Sequence, residues 1–265
     1  MVEFFDTHAH LDFPEFRDDL TEVVARAVAA GITRILTIGT SIESSRRAVA
    51  LAERFPSVYA VVGVHPNHVM EEPEDITGLL HPLAAHPKVV AIGETGLDHY
   101  RLNRVSAAEA TTIRDRQRSL FLQQLELAAQ NGLNCVIHQR DAFQPTLEIM
   151  RPCAGRVQGV FHCFTGTPQE AAAVLDAGSL VSFTGIATFK NAQEVRDALA
   201  AVPLGRFMLE TDCPFLAPTP HRGRRCEPAY VRELAEVAAT VKGCSLPELS
   251  AATCTTARAF FQRLT

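Results

Sequence analysis

Val2-Glu3-Phe4-Phe5-Asp6-Thr7-His8-Ala9-His10 begins as an apolar run and closes on two histidines spaced two residues apart. A short apolar run of this kind reads as a buried strand. Residues i and i+2 at the end of a strand point to the same side, so His8 and His10 can present two imidazoles to one metal ion. A pair of histidines also recurs by chance in ordinary surfaces and cores. What separates the two readings is whether the chain supplies further ligands where a fold can bring them to the same spot.

Working outward, apolar runs at 35–38, 58–62, 89–92, 134–137, 157–161, 180–183 and 207–209 join residues 2–5 as eight expected strands. Segments 18–30, 42–54, 114–130, 168–177 and 192–200 are rich in Ala, Leu, Glu and Arg, with apolar residues three and four apart, and predict helices. Segments 229–241, 247–251 and 255–264 predict closing helices after the eighth strand. No Pro/Ser-rich linker, internal repeat or low-complexity stretch interrupts the alternation. The expectation is an α/β chain, residues 1–265, forming a single-domain (β/α)8 TIM barrel with additional C-terminal helices; an open doubly wound sheet is the alternative.

Composition narrows the function classes. At 47% hydrophobic residues a sizeable core is available. A net charge of −5 argues against coating nucleic acid through bulk positive charge, while leaving room for a local cationic patch. Seven cysteines without a C-x-x-C pair read as reduced thiols. The opening residues show no basic stretch followed by a long apolar one, and no apolar run reaches membrane-span length. These features predict a soluble cytoplasmic protein with no membrane association and no obligate protein partner. The absence of G-x-G-x-x-G, G-x-x-x-x-G-K and H-E-x-x-H removes the usual signals of dinucleotide binding, P-loop chemistry and zincin proteolysis.

The metal-capable side chains fall in a pattern. His8 and His10 follow the first expected strand, His65 the third, Glu94 the fourth, His138 the fifth, His162 the sixth and Asp212 the eighth. In a barrel those carboxyl ends converge on one mouth, so residues some two hundred positions apart become neighbours. His65, in Gly63-Val64-His65-Pro66, has two readings: a ligand, or a turn histidine that donates a hydrogen bond to the ligands. It is kept outside the ligand set. The remaining four histidines, glutamate and aspartate are too many for one tetrahedral ion and suit two, with Glu94 as the natural bridge. Glu210, two positions before Asp212, shares its face and is expected to support the ligands through hydrogen bonds. Asp98 reads as a loop cap and His68 as a solvated residue. Cys163 and Cys213 adjoin ligand candidates, and strand alternation turns them into the packing.

Phe5-Asp6-Thr7-His8-Ala9-His10-Leu11-Asp12, Gly93-Glu94-Thr95-Gly96-Leu97-Asp98, Val136-Ile137-His138-Gln139-Arg140-Asp141-Ala142, Phe161-His162-Cys163-Phe164-Thr165-Gly166 and Leu209-Glu210-Thr211-Asp212-Cys213-Pro214-Phe215-Leu216 together resemble the TatD family of metal-dependent deoxyribonucleases. The resemblance continues through Phe183-Thr184-Gly185-Ile186, Thr188-Phe189-Lys190-Asn191-Ala192 and the stretch from His221 to Val231. It implies a barrel that hydrolyses DNA phosphodiester bonds at a divalent metal centre, as a 3′-to-5′ exonuclease preferring single strands. It also implies His8, His10, Glu94, His138, His162 and Asp212 as metal ligands. Two positions depart from the family pattern. The usual His-Pro-His appears as His65-Pro66-Asn67, with His68 one place later, and Cys226 replaces the asparagine of an Arg-Gly-Lys-Arg-Asn-Glu-Pro stretch.

The chemistry follows from charge. A phosphodiester repels hydroxide, and two divalent ions supply both a nucleophile at neutral pH and counter-charge for the transition state. Glu94 and Asp212 are the expected catalytic carboxylates, Asp212 orienting the attacking water or taking its proton. Four imidazoles favour Zn, Mn or Fe over Mg, whereas the family resemblance points to Mg or Mn, and Mn, Mg or Zn is the expected occupant. Arg101, Arg104, Arg140, Lys190, Arg222 and Arg225 lie in segments after catalytic strands and predict a cationic rim for substrate, with Arg224 beside them. With no tryptophan and three tyrosines, base stacking would fall to Tyr100 or Phe189 and sequence-tolerant cleavage is expected. Two other functions share these features. One is another amidohydrolase-type enzyme, D-aminoacyl-tRNA deacylation included, disfavoured by a glutamate where that class often carries a carboxylated lysine. The other is a non-catalytic metal-holding binding protein, disfavoured by the complete set of ligands and carboxylates.

Overall fold

Each of the eight apolar runs forms a strand in the computed structural model, which describes residues 2–265. They are β1 (Phe4–Ala9), β2 (Ile32–Ile38), β3 (Val58–Val62), β4 (Val89–Asp98), β5 (Asn134–Arg140), β6 (Gly159–Phe161), β7 (Leu180–Phe183) and β8 (Phe207–Leu209). Every strand pairs in parallel with the next in chain order. The seam closes just beyond β8, where the Asp212 N–H donates to the His8 carbonyl (2.9 Å) and the His10 N–H to the Cys213 carbonyl (2.8 Å). The sheet is therefore the expected barrel and not the open alternative.

Nine α-helices accompany the strands among the described residues: α1 (Leu20–Ala29), α2 (Ile42–Arg54), α3 (Thr77–Ala84), α4 (Ala107–Asn131), α5 (Phe143–Met150), α6 (Pro168–Asp176), α7 (Gln193–Ala201), α8 (Val231–Lys242) and α9 (Leu246–Phe260). None is long and apolar enough to cross a membrane. Strand alternation divides the core in two. Phe5, Leu36, Ile38, Tyr59, Val61, Val136 and Met208 fill the barrel interior together with Phe260 and Phe261. Phe4, Ile35, Val58, Ala60 and Val62 face outward to the helices. The end of the chain stoppers the amino-terminal end of the barrel, where Asn134 Nδ2 donates to the Phe260 carbonyl and Arg263 to the carbonyls of Ala84 and Val89.

Several boundaries differ from expectation for identifiable reasons. β1, β4 and β5 run past their apolar stretches to Ala9, Asp98 and Arg140, so His8, Glu94 and His138 sit inside strands and not after them. Their polar residues are tolerated there because the seam and the site satisfy them; the Thr7 hydroxyl, for instance, donates to the Leu209 carbonyl. α3 and α5 were not anticipated, since Pro82 and Pro145 break the apparent helical pattern. α4 begins at Ala107, seven residues before the expected start, capped by Ser106 accepting from the Glu109 N–H. The two expected closing helices at 247–251 and 255–264 are one helix, α9, opened by a reciprocal Ser245–Glu248 cap.

Pairing is irregular where it matters most. Between Asp6↔Ile35 and Ala9↔Thr37 β1 carries one residue more than β2, and between Ile92↔Cys135 and Thr95↔Ile137 β4 carries one more than β5. These bulges coincide with His8 and Glu94. A bulge re-aims side chains locally, which is how a strand end can break parity and turn a chosen residue into the mouth.

Candidate metal centre

The bulge in β1 separates Asp6 from His8 and His10 although all three share strand parity. Asp6 accepts hydrogen bonds from the Thr211 N–H (2.9 Å), the Thr211 hydroxyl (2.6 Å) and the His8 N–H (3.3 Å), tying β1 to the segment carrying Asp212. Burial pushes its carboxyl up to about 8 despite those donors. His8 and His10 turn instead into the mouth, their Nε2 atoms 3.3 Å apart. Asp212 Oδ1 lies 3.3 Å from His10 Nε2 and 3.6 Å from His8 Nε2, and Glu94 Oε2 lies 3.5 Å from His8 Nε2.

The second oxygen of Glu94 faces another group. Oε1 is 2.8 Å from His162 Nε2, 2.9 Å from His138 Nδ1 and 3.4 Å from His65 Nε2. Gly96, at φ 134°, follows Glu94 by two residues, and its missing side chain admits the His138 carbonyl of β5. The chain thus gathers, by spacing of donor atoms alone, the groups His8–His10–Asp212, His8–Glu94–His162 and His65–Glu94–His138.

The tautomers sort these histidines. His10 Nδ1 donates to the Ile38 carbonyl (3.3 Å), and His138 Nε2 donates to Asp98 Oδ2 (3.3 Å). His162 Nδ1 points to Glu210 Oε1 at 3.5 Å. In each ring the proton is drawn to the outer nitrogen, which leaves the lone pair of the inner one facing the cluster, as metal-binding imidazoles require. His65 is the opposite case. Its Nδ1 accepts from the Asn67 N–H (3.0 Å), so a neutral ring carries its proton on Nε2, toward Glu94. Burial first, with the neighbouring His138 and His162 adding to it, brings His65 down to about 4 and keeps it neutral at pH 7.

Whether such a cluster fits a cation is decided by its donors. The Nε2 atoms of two imidazoles and the oxygens of two carboxylates converge at 3.3–3.8 Å. Ligand atoms about 2.0–2.1 Å from a tetrahedral metal are separated by roughly 3.3 Å. Without a cation the field draws protons in its place. Burial disfavours a charged His162, but Glu94 and Glu210 outweigh it and raise the ring well above its ordinary value. Burial likewise works against Glu94, and His162, His65 and His8 hold it well below the usual carboxylate range. The donor set fits divalent metal.

Asp98 belongs to the site although its sequence context suggested a loop cap. It follows Glu94 by four residues on one strand, the parity signal that could have found it. Asn67 Nδ2 donates to its Oδ2 at 3.0 Å, so the residue standing where the family usually has histidine braces the carboxylate that holds His138. Glu210 accepts from the Cys163 N–H (2.7 Å) beside His162, and neither Cys163 nor Cys213 joins a metal-capable group among the described residues. Cys163 and Asp212 have left-handed backbone at φ 47° and 58°, a strained conformation for residues with side chains, placed next to His162 and at Asp212 itself.

The expected cationic rim divides. Arg140 stacks on Tyr100, its guanidinium carbon 3.6 Å from the ring centre, and Arg104 lies 5.8 Å from the same ring. Arg222 stacks on Phe189 at 3.7 Å and donates to the Ala217 carbonyl. Arg101 and Lys190 are exposed. Arg225 grips both oxygens of Asp19 at 2.7 Å and the Glu15 carbonyl. His68 pairs with Glu71 at 3.2 Å on the surface. Phe13 and Phe215, which no sequence signal singled out, stand beside His10.

Residues 5–262 match the family model described as TatD related DNase. The chain is 37% identical over 259 residues to the uncharacterized metal-dependent hydrolase YabD of Bacillus subtilis, covering 97% of this chain and 98% of that one. It is 38% identical over 236 residues to the 3′-5′ ssDNA/RNA exonuclease TatD of Enterobacter lignolyticus, covering 87% and 88%. The crystal structure of YJJV, a TatD homologue from Escherichia coli, superposes with a TM-score of 0.89 at 28% identity over 98% of each chain. On the barrel, the buried ligand cluster and these likenesses together, the chain belongs to the TatD-related DNase family and is a metal-dependent hydrolase.

Proposed function

We propose that the chain is a two-metal phosphodiesterase that removes nucleotides from the 3′ end of single-stranded DNA. The observation that carries this reading is Glu94, one buried carboxylate whose two oxygens face different sets of imidazoles, as a bridging ligand does. His8, His10 and Asp212 would hold one ion and His138 and His162 the other. When bound, divalent ions lower the pKa of a coordinated water and neutralise charge gathering on the phosphoryl oxygens. Four imidazoles favour Mn or Zn as occupants, and Mg, which prefers oxygen ligands, is the weaker fit.

The chain's own groups divide the remaining work. Asp212 is the more accessible of the two carboxylates, its side chain 16% exposed against 3% for Glu94, which suits it to orient the attacking water and accept its proton. His65, neutral at pH 7, turns its Nε2–H toward Glu94 Oε1 and would orient that carboxylate without adding positive charge. Arg104, Arg140 and Arg222, held against aromatic rings, present guanidinium groups to the phosphates of an incoming strand. The relatives named 3′-5′ ssDNA/RNA exonucleases support both the polarity and the single-stranded substrate.

The test is a time course on 5′-labelled single- and double-stranded DNA with Mn, Mg or Zn, paired with metal analysis of the protein. The expected result is a ladder shortened one nucleotide at a time, faster on single strands, at close to two ions per chain. Glu94→Gln should lower the rate by roughly 10³ or more while the circular dichroism spectrum is unchanged. Near-normal turnover by that variant, or no cleavage by the wild type with any of the three metals, would overturn the reading.

A further inference from the structure

Phe13 and Phe215 come from opposite ends of the chain and meet at the edge of the metal centre. The Phe13 ring lies on that of His10, centroids 4.8 Å apart and planes 22° from parallel. Phe215 meets Phe13 edge-on, at 6.0 Å and 79°, and its centroid is 6.5 Å from that of His10. Two rings at a near right angle make an apolar corner. Phe215 is 48% exposed, which leaves part of an aromatic ring open beside His10. Both rings border a cavity of about 440 Å³ in whose polar wall Arg47 pairs with Asp12 and His68 with Glu71, beside Thr40, Ser41 and Glu15.

The corner is rigidly coupled to the reacting groups. Asp212 and Phe215 are joined by a tight turn in which the Phe215 N–H donates to the Asp212 carbonyl at 3.0 Å. The turn is pinned from behind by the Cys226 N–H on the Pro214 carbonyl (2.9 Å), and Cys226 is fully buried. Phe13 is held by its stack on a ligand ring. An aromatic wall fixed against a hydrolytic centre constrains the part of a substrate that lies next to the bond being broken. For a phosphodiester of nucleotides that part is a base, which is planar, apolar on its faces and polar at its edges, as this corner and cavity are.

We infer that Phe13 and Phe215 form a stacking subsite for the nucleobase adjoining the scissile phosphate. The inference rests on the nucleic-acid reading of the metal centre. Every base has a π-face, so such a subsite aligns the strand without reading its sequence. Its position distinguishes it from Tyr100 and Phe189, whose rings carry stacked arginines.

The test compares two ten-nucleotide single-stranded DNAs, one ordinary and one in which the 3′-terminal and penultimate nucleotides are abasic. The wild type should show a KM about tenfold lower for the ordinary strand, as stacking of a base on an aromatic side chain predicts. In Phe13→Leu, Phe215→Leu and the double variant, which keep apolar bulk but lose the π-face, that ratio should collapse toward one, and Phe215→Tyr should keep it. A ratio near one in the wild type, or a ratio unchanged in the leucine variants, overturns the subsite while leaving the nuclease reading intact. Failure of the wild type to cleave either strand overturns the nuclease reading and the subsite with it.

Discussion

Asp98 shows how much at this site is decided by residues that touch no substrate. Its Oδ2 takes the Nε2–H of His138 and the amide of Asn67, so the His138 ring is fixed in the tautomer that aims Nδ1 at Glu94. Burial opposes its charge, but the hydrogen bond from His138 and its charge, then Asn67, bring the carboxyl down to about 2, and it stays an acceptor throughout the working range. Asp98→Ala should therefore lower metal affinity by about ten- to a hundredfold with the fold retained, read by titration calorimetry or by competition with a chromogenic chelator. Asp98→Asn, which keeps an acceptor oxygen, should recover most of the loss, and an alanine variant of wild-type affinity would refute the role. The histidines and carboxylates of the cluster were legible because each stands at the carboxyl end of an apolar run. Asp98 and Asn67 were not, since their importance lies in a hydrogen bond between loops and strands 31 residues apart in sequence.

The elements carry two devices that set the site's precision. On α4, Gln117 and Gln124 lie seven residues apart on one face and reach into the barrel wall. Gln124 bonds the Val64 N–H and carbonyl and the Thr95 hydroxyl, and Gln117 bonds the Pro66 carbonyl together with the Asp98 N–H and carbonyl. They clamp the segments that hold His65 and Asp98, and a helical pattern reader sees them only as polar interruptions. At the opposite end, α9 and its continuation insert Phe260 and Phe261 into the barrel, the two rings 4.7 Å apart and essentially without exposure. Phe261→Ala should destabilise the protein by about 3–5 kcal/mol through lost burial and the cavity left behind. Denaturant unfolding would check this, and a loss below about 1 kcal/mol would show that the chain end is dispensable to the core. Strand positions were readable at this scale because apolar runs are local. The bulges in β1 and β4 were not, because an extra residue is defined only against a neighbouring strand.

For the molecule as a whole, closing the barrel brings the last third of the chain back against the first. Arg225 and Arg26 hold Asp19 between them, and Arg26 also grips Glu227, so the segment after β8 is tied to the start of α1. The hydrogen bond from Arg225, with Arg26 adding to it, brings Asp19 down to about 2 from an ordinary value near 3.8. A depressed carboxyl contributes its stability above the unfolded value and loses it as pH falls through the folded one. Asp19→Asn should therefore melt below wild type at pH 6, with the gap closing as pH falls from about 4 to about 2; thermal scans across that range would check it, and a gap constant with pH would refute it. The amino-acid sequence by itself determined the eight strands, their order and the placing of metal-capable residues at one end of them, because strand formation and side-chain alternation are properties of neighbouring residues. Only the tertiary structure decided which nitrogen of each histidine faces the centre, that Glu94 turns its two oxygens to different sets of imidazoles, that Arg225 pairs with Asp19, and that Phe13 meets Phe215. Those facts depend on register, bulges and loop packing, which bring together side chains as many as two hundred residues apart and leave no periodic trace in the chain.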